Sequence, residues 1–124
     1  MRPVIIILTI LLVSGCAARQ PSPEEIARAD YGPYPTDYKQ AVRDYASNFL
    51  KDPYSAQYRF VHEPEKGWAW TARGFEFGWR VCSWVNARNE FGEFTGEKPW
   101  QFLIRDDSVI ERIVNTEKGY RLCV

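Results

Sequence analysis

The clearest helical pattern in the chain runs from Asp37 to Lys51. Its apolar residues recur at steps of three and four, which places them on one face of a helix. They are Tyr38, Ala41, Val42, Tyr45, Ala46, Phe49 and Leu50, whereas Arg43 and Asn48 fall outside this stripe. Pro53 disfavours helical geometry in the preceding residue and so ends the helix.

The chain after Pro53 alternates short extended segments with turn residues, a pattern typical of antiparallel strands. Period two is strongest between Phe75 and Asn86, where Phe77, Trp79 and Val81 share one face. The six candidate strands are Gln57 to His62, Trp68 to Ala72, Phe75 to Asn86, Pro99 to Arg105, Val109 to Val114 and Tyr120 to Val124. We therefore predict an α+β fold with one amphipathic helix packed on an antiparallel sheet of about four to six strands.

The helix has two possible partners. If it packs on the sheet, Tyr45 and Phe49 are buried against the face that carries Trp79 and Val81. If it docks on another protein, the same stripe stays exposed in the isolated chain. We expect the first arrangement, because a small domain needs this stripe for its core.

The N terminus has the three parts of a secretory leader. Arg2 supplies a positive charge, Val4 to Val13 form an apolar run, and Val13-Ser14-Gly15-Cys16 closes it. The run is shorter than the about 20 residues that a membrane-spanning helix needs, but it suits the hydrophobic region of a signal peptide.

The Val13-Ser14-Gly15-Cys16 segment resembles the lipobox of bacterial lipoproteins. The resemblance implies a signal peptide over residues 1–15, cleavage before Cys16, a diacylglyceryl group on the Cys16 sulfur and usually an acyl chain such as palmitate on its amine. Ala17, rather than an aspartate, implies sorting to the outer membrane by analogy with enterobacterial lipoproteins. An ordinary cleaved signal or an uncleaved anchor are the alternatives.

Residues 16–35 read as the lipidated cysteine and a tether, because four prolines interrupt them and few large aliphatic residues occur. Ser22-Pro23-Glu24-Glu25 has the pattern of a capping box with proline at the first helical position, which predicts a short helix from Pro23 to Ala29. Residues 36–124 are then a single domain.

Charge and cysteine content narrow the possible partners. The 16 basic and 16 acidic residues balance, so the chain lacks the excess positive charge with which proteins attract nucleic acid. With Cys16 assigned to lipid, Cys82 and Cys123 remain, and a disulfide is the simplest expectation in an oxidising compartment. Their spacing and the single histidine give no metal site.

Aromatic residues are unusually frequent, at 15% of the chain. Large rings bury much apolar area per residue, so they compensate for the small size of the domain. A surface that binds a ligand through exposed rings is the alternative.

The segment from Val85 to Gly96 is the most unusual after the leader. Asparagine and glycine favour turns, so we expect a shaped loop in which Phe91 and Phe94 pin it to the sheet. Its candidate binding residues are Asn86, Arg88, Asn89, Phe91 and Phe94. The structural interpretation competes with recognition of a partner.

This loop resembles a motif of small bacterial exported proteins, most of them uncharacterised. The motif is Val-Asn-Ala-Lys/Arg-Asn, two residues, glycine, one residue, then Tyr/Phe-Thr/Ser-Gly. In those proteins it follows an Asp-Pro-x-Ser-Ala segment, which here is Asp52 to Ala56. Glu93 stands where a second glycine is usual. The resemblance implies a fold and an exported location, and no reaction.

Catalytic chemistry has little support in the sequence. His62 is the only histidine, and the spacing of the serine and cysteine residues assigns none of them to it as a nucleophile. We expect His62 at a strand end beside Glu63 and Glu65. Asp106 and Asp107 form a carboxylate pair, but adjacent acidic residues between strands usually make the turn.

We therefore expect a non-enzymatic lipoprotein without a cofactor or metal, anchored in the outer membrane with its domain in the periplasm. It would serve as an accessory or structural component of an envelope assembly. The alternative is a small periplasmic binding or inhibitor module that recognises a peptide, a glycan or an enzyme through exposed aromatic residues and the loop. Its partners would be the membrane, through the lipid, and envelope proteins, but no nucleic acid.

Overall fold

The computed structural model describes residues 20–113 and Cys123, which form a single antiparallel sheet with one substantial helix packed on it. The elements are α1 (Pro23–Arg28), α2 (Tyr38–Ser47), a 3-10 turn (Pro53–Ser55), β1 (Gln57–Phe60), β2 (Glu65–Thr71), β3 (Gly74–Asn86), β4 (Lys98–Arg105) and β5 (Ser108–Ile113). The antiparallel sheet is confirmed with five strands. The described part is mainly β, so helices contribute less than an α+β fold implies.

The thirteen-residue strand β3 organises the sheet. On one side it pairs with β4, and β5 pairs with the far side of β4. On its other side β2 pairs with residues 74–80 of β3, and β1 pairs with residues 83–86. Two short strands thus lie end to end along one long strand, and the two ends of β3 have different neighbours.

Gly78 allows β3 to lie unusually close to β4. A Cβ atom at this position would be 2.6 Å from the carbonyl oxygen of Ile104 and 3.1 Å from Cγ of Leu103. The first contact is with backbone, which cannot rotate away. A glycine is therefore required here by the approach of the neighbouring strand.

Helix α2 covers the middle of one sheet face. Its buried residues Tyr38 and Val42 pack with Val81, Phe102 and Ile104, which are all fully buried strand residues. Tyr45 is half-buried, and its ring meets that of Phe102 edge-on at a centroid distance of 5.9 Å. The predicted packing of the stripe on the Val81 face is confirmed for these residues, and Arg43 and Asn48 are exposed as expected.

Phe49 is not in this core, and the prediction that it is buried there is wrong. The helix ends at Ser47, earlier than the predicted Lys51, and Asn48 caps it. The amides of Phe49 and Leu50 both donate to the carbonyl of Ala46, which completes the last turn. Phe49 therefore lies past the end of the helix, and 52% of it is exposed.

The opposite face of the sheet holds a second, smaller core. Ala69, Leu103 and Ile113 are buried there together, and Ile110 packs against them. Cys82 is fully buried on the same face, and Cys123 lies at disulfide distance from it, with 5.3 Å between the Cα atoms. The predicted strand from Tyr120 to Val124 lies outside the described residues apart from Cys123.

The segment from Asp30 to Pro35, which we call the strap, crosses the sheet beside β3. The indole Nε1 of Trp79 donates to the Gly32 carbonyl at 3.1 Å. Tyr31 meets Phe77 and Tyr34 meets Trp79, both edge-on. Pro35 is fully buried. The sequence analysis assigned these residues to the tether, but they pack on the folded sheet.

Helix α1 precedes the strap and forms as its capping box predicts. Ser22 Oγ accepts from the Glu25 amide at 3.1 Å, and the Glu25 carboxylate accepts from the Ser22 amide at 2.7 Å. Helices in the described part of the chain are all too short or too polar to cross a membrane.

Candidate functional site

The loop from Val85 to Gly96, which we call the asparagine loop, is shaped by its two asparagine side chains. Asn89 Oδ1 accepts from the amides of Phe91 at 2.9 Å and Glu93 at 3.1 Å. Asn86 Oδ1 accepts from the Gly96 amide at 3.2 Å. Both asparagines are therefore engaged in holding the backbone, as the structural interpretation of the loop predicted.

Backbone bonds and glycine geometry complete the turn. The Asn89 amide donates to the Glu93 carbonyl at 2.8 Å, and the Gly92 amide donates to the Asn89 carbonyl at 3.0 Å. Gly92 has φ of 76°, the left-handed region that glycine adopts without strain. The positive φ falls on Gly92, so a glutamate at position 93 is compatible with the tight turn.

The loop is also tied to the segment after α2. The Arg88 amide donates to Ser55 Oγ at 2.9 Å, and Ser55 Oγ donates to the Asp52 carbonyl at 2.8 Å. Ser55 belongs to the Asp-Pro-x-Ser-Ala segment and Arg88 to the Val-Asn-Ala-Arg-Asn segment. A hydrogen bond therefore joins these two segments, which are 33 positions apart in the chain.

The two phenylalanines of the loop do not pin it to the sheet as expected. Phe91 is 80% exposed and Phe94 is 44% exposed. The guanidinium of Arg88 lies over the Phe94 ring at 5.1 Å, within cation–π range. Asparagine hydrogen bonds position the loop instead, which leaves the rings available at the surface.

A groove lies between the loop, the segment that follows α2 and the adjoining ends of β3 and β4. Its volume is about 220 Å³. It is lined by Phe49, Leu50, Lys51, Val85, Ala87, Arg88, Asn89, Thr95, Lys98 and Trp100. We call it the cationic groove, because three of these residues carry positive charge.

Those three cations lack a carboxylate partner within residues 20–113. Lys51, Arg88 and Lys98 form no ion pair with any carboxylate in the described part of the chain. Glu97, the carboxylate next to Lys98 in sequence, instead binds Arg59 through two hydrogen bonds, the shorter at 2.7 Å. That pair lowers the pKa of the Glu97 carboxyl, since the bonds from Arg59 favour its charged form.

A fourth cation braces the wall of the groove. The guanidinium of Arg112 lies 4.8 Å from the ring centroids of both Phe49 and Trp100. This sandwich holds the exposed Phe49 ring beside the groove although the ring is outside the core. The wall is therefore partly ordered by side chains from the segment after α2, from β4 and from β5.

The other candidate residues for catalysis, His62, Asp106 and Asp107, lie in a bend and a turn between strands. His62 Nδ1 lies 2.7 Å from the Glu63 carbonyl, and its ring is 4.0 Å from the Glu65 carboxylate. Asp106 and Asp107 form the β4–β5 turn with φ of 51° and 60°, as their turn assignment predicted. Residues 20–113 and Cys123 include no group of three metal-ligating side chains. Cys16, the predicted lipidation site, lies outside the described residues.

The structure brings together only part of the predicted binding set. Arg88 and Asn89 line the groove, while Asn86 is engaged in the turn and both phenylalanines lie outside the lining. Sequence reasoning missed Lys51, Lys98 and Trp100. Lys51 and Lys98 lie in separate segments, and the only signal for them was a basic residue near the boundary of a predicted element, whereas nothing in the sequence marked Trp100.

Comparison with known proteins adds no relative: neither the family models nor the curated proteins nor the solved structures give a match.

Proposed function

We propose that this chain is a non-enzymatic lipoprotein of the outer membrane whose periplasmic domain is an accessory component of an envelope assembly. In this proposal the domain binds another protein of the assembly through the cationic groove and the asparagine loop. The leader and the Val13-to-Cys16 segment support the anchor, and the groove supports the binding role.

The observation that carries the binding role is a cluster of three cations, without ion pairs among the described residues, beside a hydrogen-bonded loop. Three like charges around one small groove repel each other, and folding alone gives no reason to gather them. An anionic partner would remove that repulsion. The loop is already held by side-chain hydrogen bonds, so binding would need little further ordering.

The anchor is tested by mass and by fractionation. Wild-type protein extracted from membranes should begin at Cys16 and carry acyl groups in its intact mass. Cys16→Ser should leave the protein soluble in the periplasm or as an unprocessed precursor. A membrane-extracted wild-type chain that begins at Cys16 without any acyl addition would overturn this part of the proposal.

The binding role is tested by cross-linking in cells. A photo-reactive amino acid replaces Lys98 in the groove or, as the matched control, Arg73 in the exposed β2–β3 turn. We expect one dominant protein adduct, close to stoichiometric, from position 98 and none from position 73. Equal adduct patterns from the two positions, or no adduct at position 98, would contradict a binding role for the groove.

A small periplasmic binding or inhibitor module is the second candidate. The groove volume of about 220 Å³ favours it, because such a space accommodates only a few side chains or a small soluble ligand. Trp100 lines the groove, so a soluble ligand should shift tryptophan fluorescence. A ligand of this kind, without any stoichiometric membrane complex, would favour the module over the assembly component.

A further inference from the structure

We propose that the cationic groove binds an acidic peptide segment of a partner protein, with an apolar side chain on the groove floor and carboxylates opposite the surrounding cations. This inference rests on the proposed binding function and adds the chemistry of the bound segment.

Charge complementarity gives the acidic character. Lys51, Arg88 and Lys98 come from the segment after α2, the asparagine loop and the start of β4, and converge on one groove. None is paired with a carboxylate of the described residues. Carboxylates spaced along an extended peptide can meet cations that are separated in this way, whereas one small anion can meet only some of them.

The apolar lining residues, which would form the floor of the proposed site, give the apolar part of the ligand. They include Leu50, Val85, Ala87 and Trp100. A single aliphatic or aromatic side chain there would remove this surface from water, and the area buried adds affinity that charge alone does not provide. The site is therefore suited to a peptide with acidic residues around an apolar one.

A sugar fits less well, because sugars stack on open aromatic faces. Arg112 already lies over the Trp100 ring at 4.8 Å, and Arg88 lies over the Phe94 ring at 5.1 Å. Stacking a sugar on the covered face of either ring would first displace a guanidinium.

An anionic lipid surface also fits less well, because the most exposed ring of the loop has carboxylates near it. Glu90 precedes Phe91 directly, and Glu93 follows two residues later. Inserting Phe91 into an anionic bilayer would bring both carboxylates toward like charge. The positive charge lies in the groove and not at the loop tip, so a peptide is the better occupant.

The test begins with a selection from random twelve-residue peptides displayed on phage, using full-length protein solubilised in detergent. We expect the selected peptides to be enriched in aspartate and glutamate around an aliphatic or aromatic residue. Peptides with no acidic enrichment would overturn the proposal.

The best selected peptide is then synthesised in two forms, as selected and with every acidic residue replaced by its amide. The amide form should bind at least about tenfold more weakly, and raising the salt concentration should weaken the acidic form selectively. Equal affinities would overturn the proposal, as would displacement of the peptide by dihexanoyl phosphatidylglycerol at lower concentration than by the free acidic peptide.

Variants locate the binding. Lys51→Glu and Lys98→Glu should each weaken the acidic peptide about tenfold, and Arg73→Glu, a charge reversal of equal size outside the groove, should leave it unchanged. Thermal unfolding curves show that each variant is folded. Equal weakening by Arg73→Glu would overturn the site. A specific cross-link at position 98 together with failure of these peptide tests would leave the binding function standing and reject the acidic ligand alone.

Discussion

The two ends of β3 use the same kinds of residue in opposite ways. At the strap end, Arg105 donates to the carbonyls of Asp30 and Phe77 and lies near the carboxylate of Asp106. The two tyrosine rings of the strap there meet the rings of Phe77 and Trp79 edge-on. At the groove end, Lys98 lacks an ion-pair partner among the described residues, and Phe91 is exposed.

This difference separates residues that hold the fold from residues that remain available to a partner. Arginine and aromatic side chains are abundant at both ends, so composition does not distinguish them. The distinction lies in two of the charged side chains, since Arg105 is hydrogen-bonded within the fold and Lys98 forms no ion pair with the described residues. Mutations that destabilise the strap end should therefore leave binding intact in the molecules that stay folded, and mutations at the groove end should do the reverse.

The largest expected effect on stability comes from one of two phenylalanine substitutions that we compare. Phe102→Ala removes a fully buried ring and should lower the free energy of unfolding by about 3–5 kcal/mol. Phe49→Ala removes a half-exposed ring at the groove end and should cost about 1 kcal/mol or less. Chemical denaturation of both variants measures the difference, and equal losses would place Phe49 in the core after all.

The disulfide should affect both ends together. Cys82→Ser should lower the free energy of unfolding by about 2–5 kcal/mol, because the bond constrains the unfolded chain. Denaturation followed by tryptophan fluorescence and by far-ultraviolet circular dichroism should give one shifted transition. Two thiols that react with an alkylating agent in the folded, unreduced wild type would contradict the pairing.

A matched arginine pair tests the comparison directly. Arg105→Ala should cost about 1.5–3 kcal/mol, because it removes charged hydrogen bonds to two backbone carbonyls. Arg88→Ala should change stability by less than about 0.5 kcal/mol, since the residue is exposed and its guanidinium lies over the exposed Phe94 ring. Thermal unfolding of the two proteins provides the measurement. A larger loss for Arg88→Ala would mean that the groove end holds the fold.

The smallest effect concerns pH and the Arg59–Glu97 pair. Arg59 lowers the pKa of the Glu97 carboxyl in the folded state, so the pair stabilises the fold above the ordinary carboxyl pKa of 4.5. That small contribution is lost as pH falls through the lowered pKa. Glu97→Gln should flatten this part of the stability–pH curve, which acid titration at low salt can show. An unchanged curve would mean that the pair adds nothing measurable.

Local signals predicted the sheet well and the surfaces poorly. Alternation along β3 and turn residues such as Asp106 and Asp107 act over a few positions, so the sequence alone indicates them. The exposure of Phe49 depends on the helix ending at Ser47, and a stripe of apolar residues does not mark that end. The spacing of apolar residues along the chain cannot distinguish the last residue that is buried in the core from the first apolar residue that is exposed beyond the helix.

The strap and the groove depend on distant contacts. Trp79 and Gly32 are joined across 47 positions, and nothing in a segment rich in proline, tyrosine and glycine indicates such packing. The groove gathers cations from three segments whose proximity only the sheet pairing determines. The cysteine pair was predictable for a different reason, since assigning Cys16 to lipid left Cys82 and Cys123 as one possible pair.

Because the strap attaches near Phe77, it also affects the direction in which a pulling force would act on the sheet. From Phe77 to Asn86, β3 extends about 30 Å at roughly 3.3 Å per residue, with the strap near one end and the groove near the other. If Cys16 is anchored and a partner is held in the groove, tension between membrane and partner runs along β3. The hydrogen bonds of its antiparallel neighbours lie perpendicular to that pull. Such a load shears many bonds simultaneously, where a pull across the sheet would open them one by one.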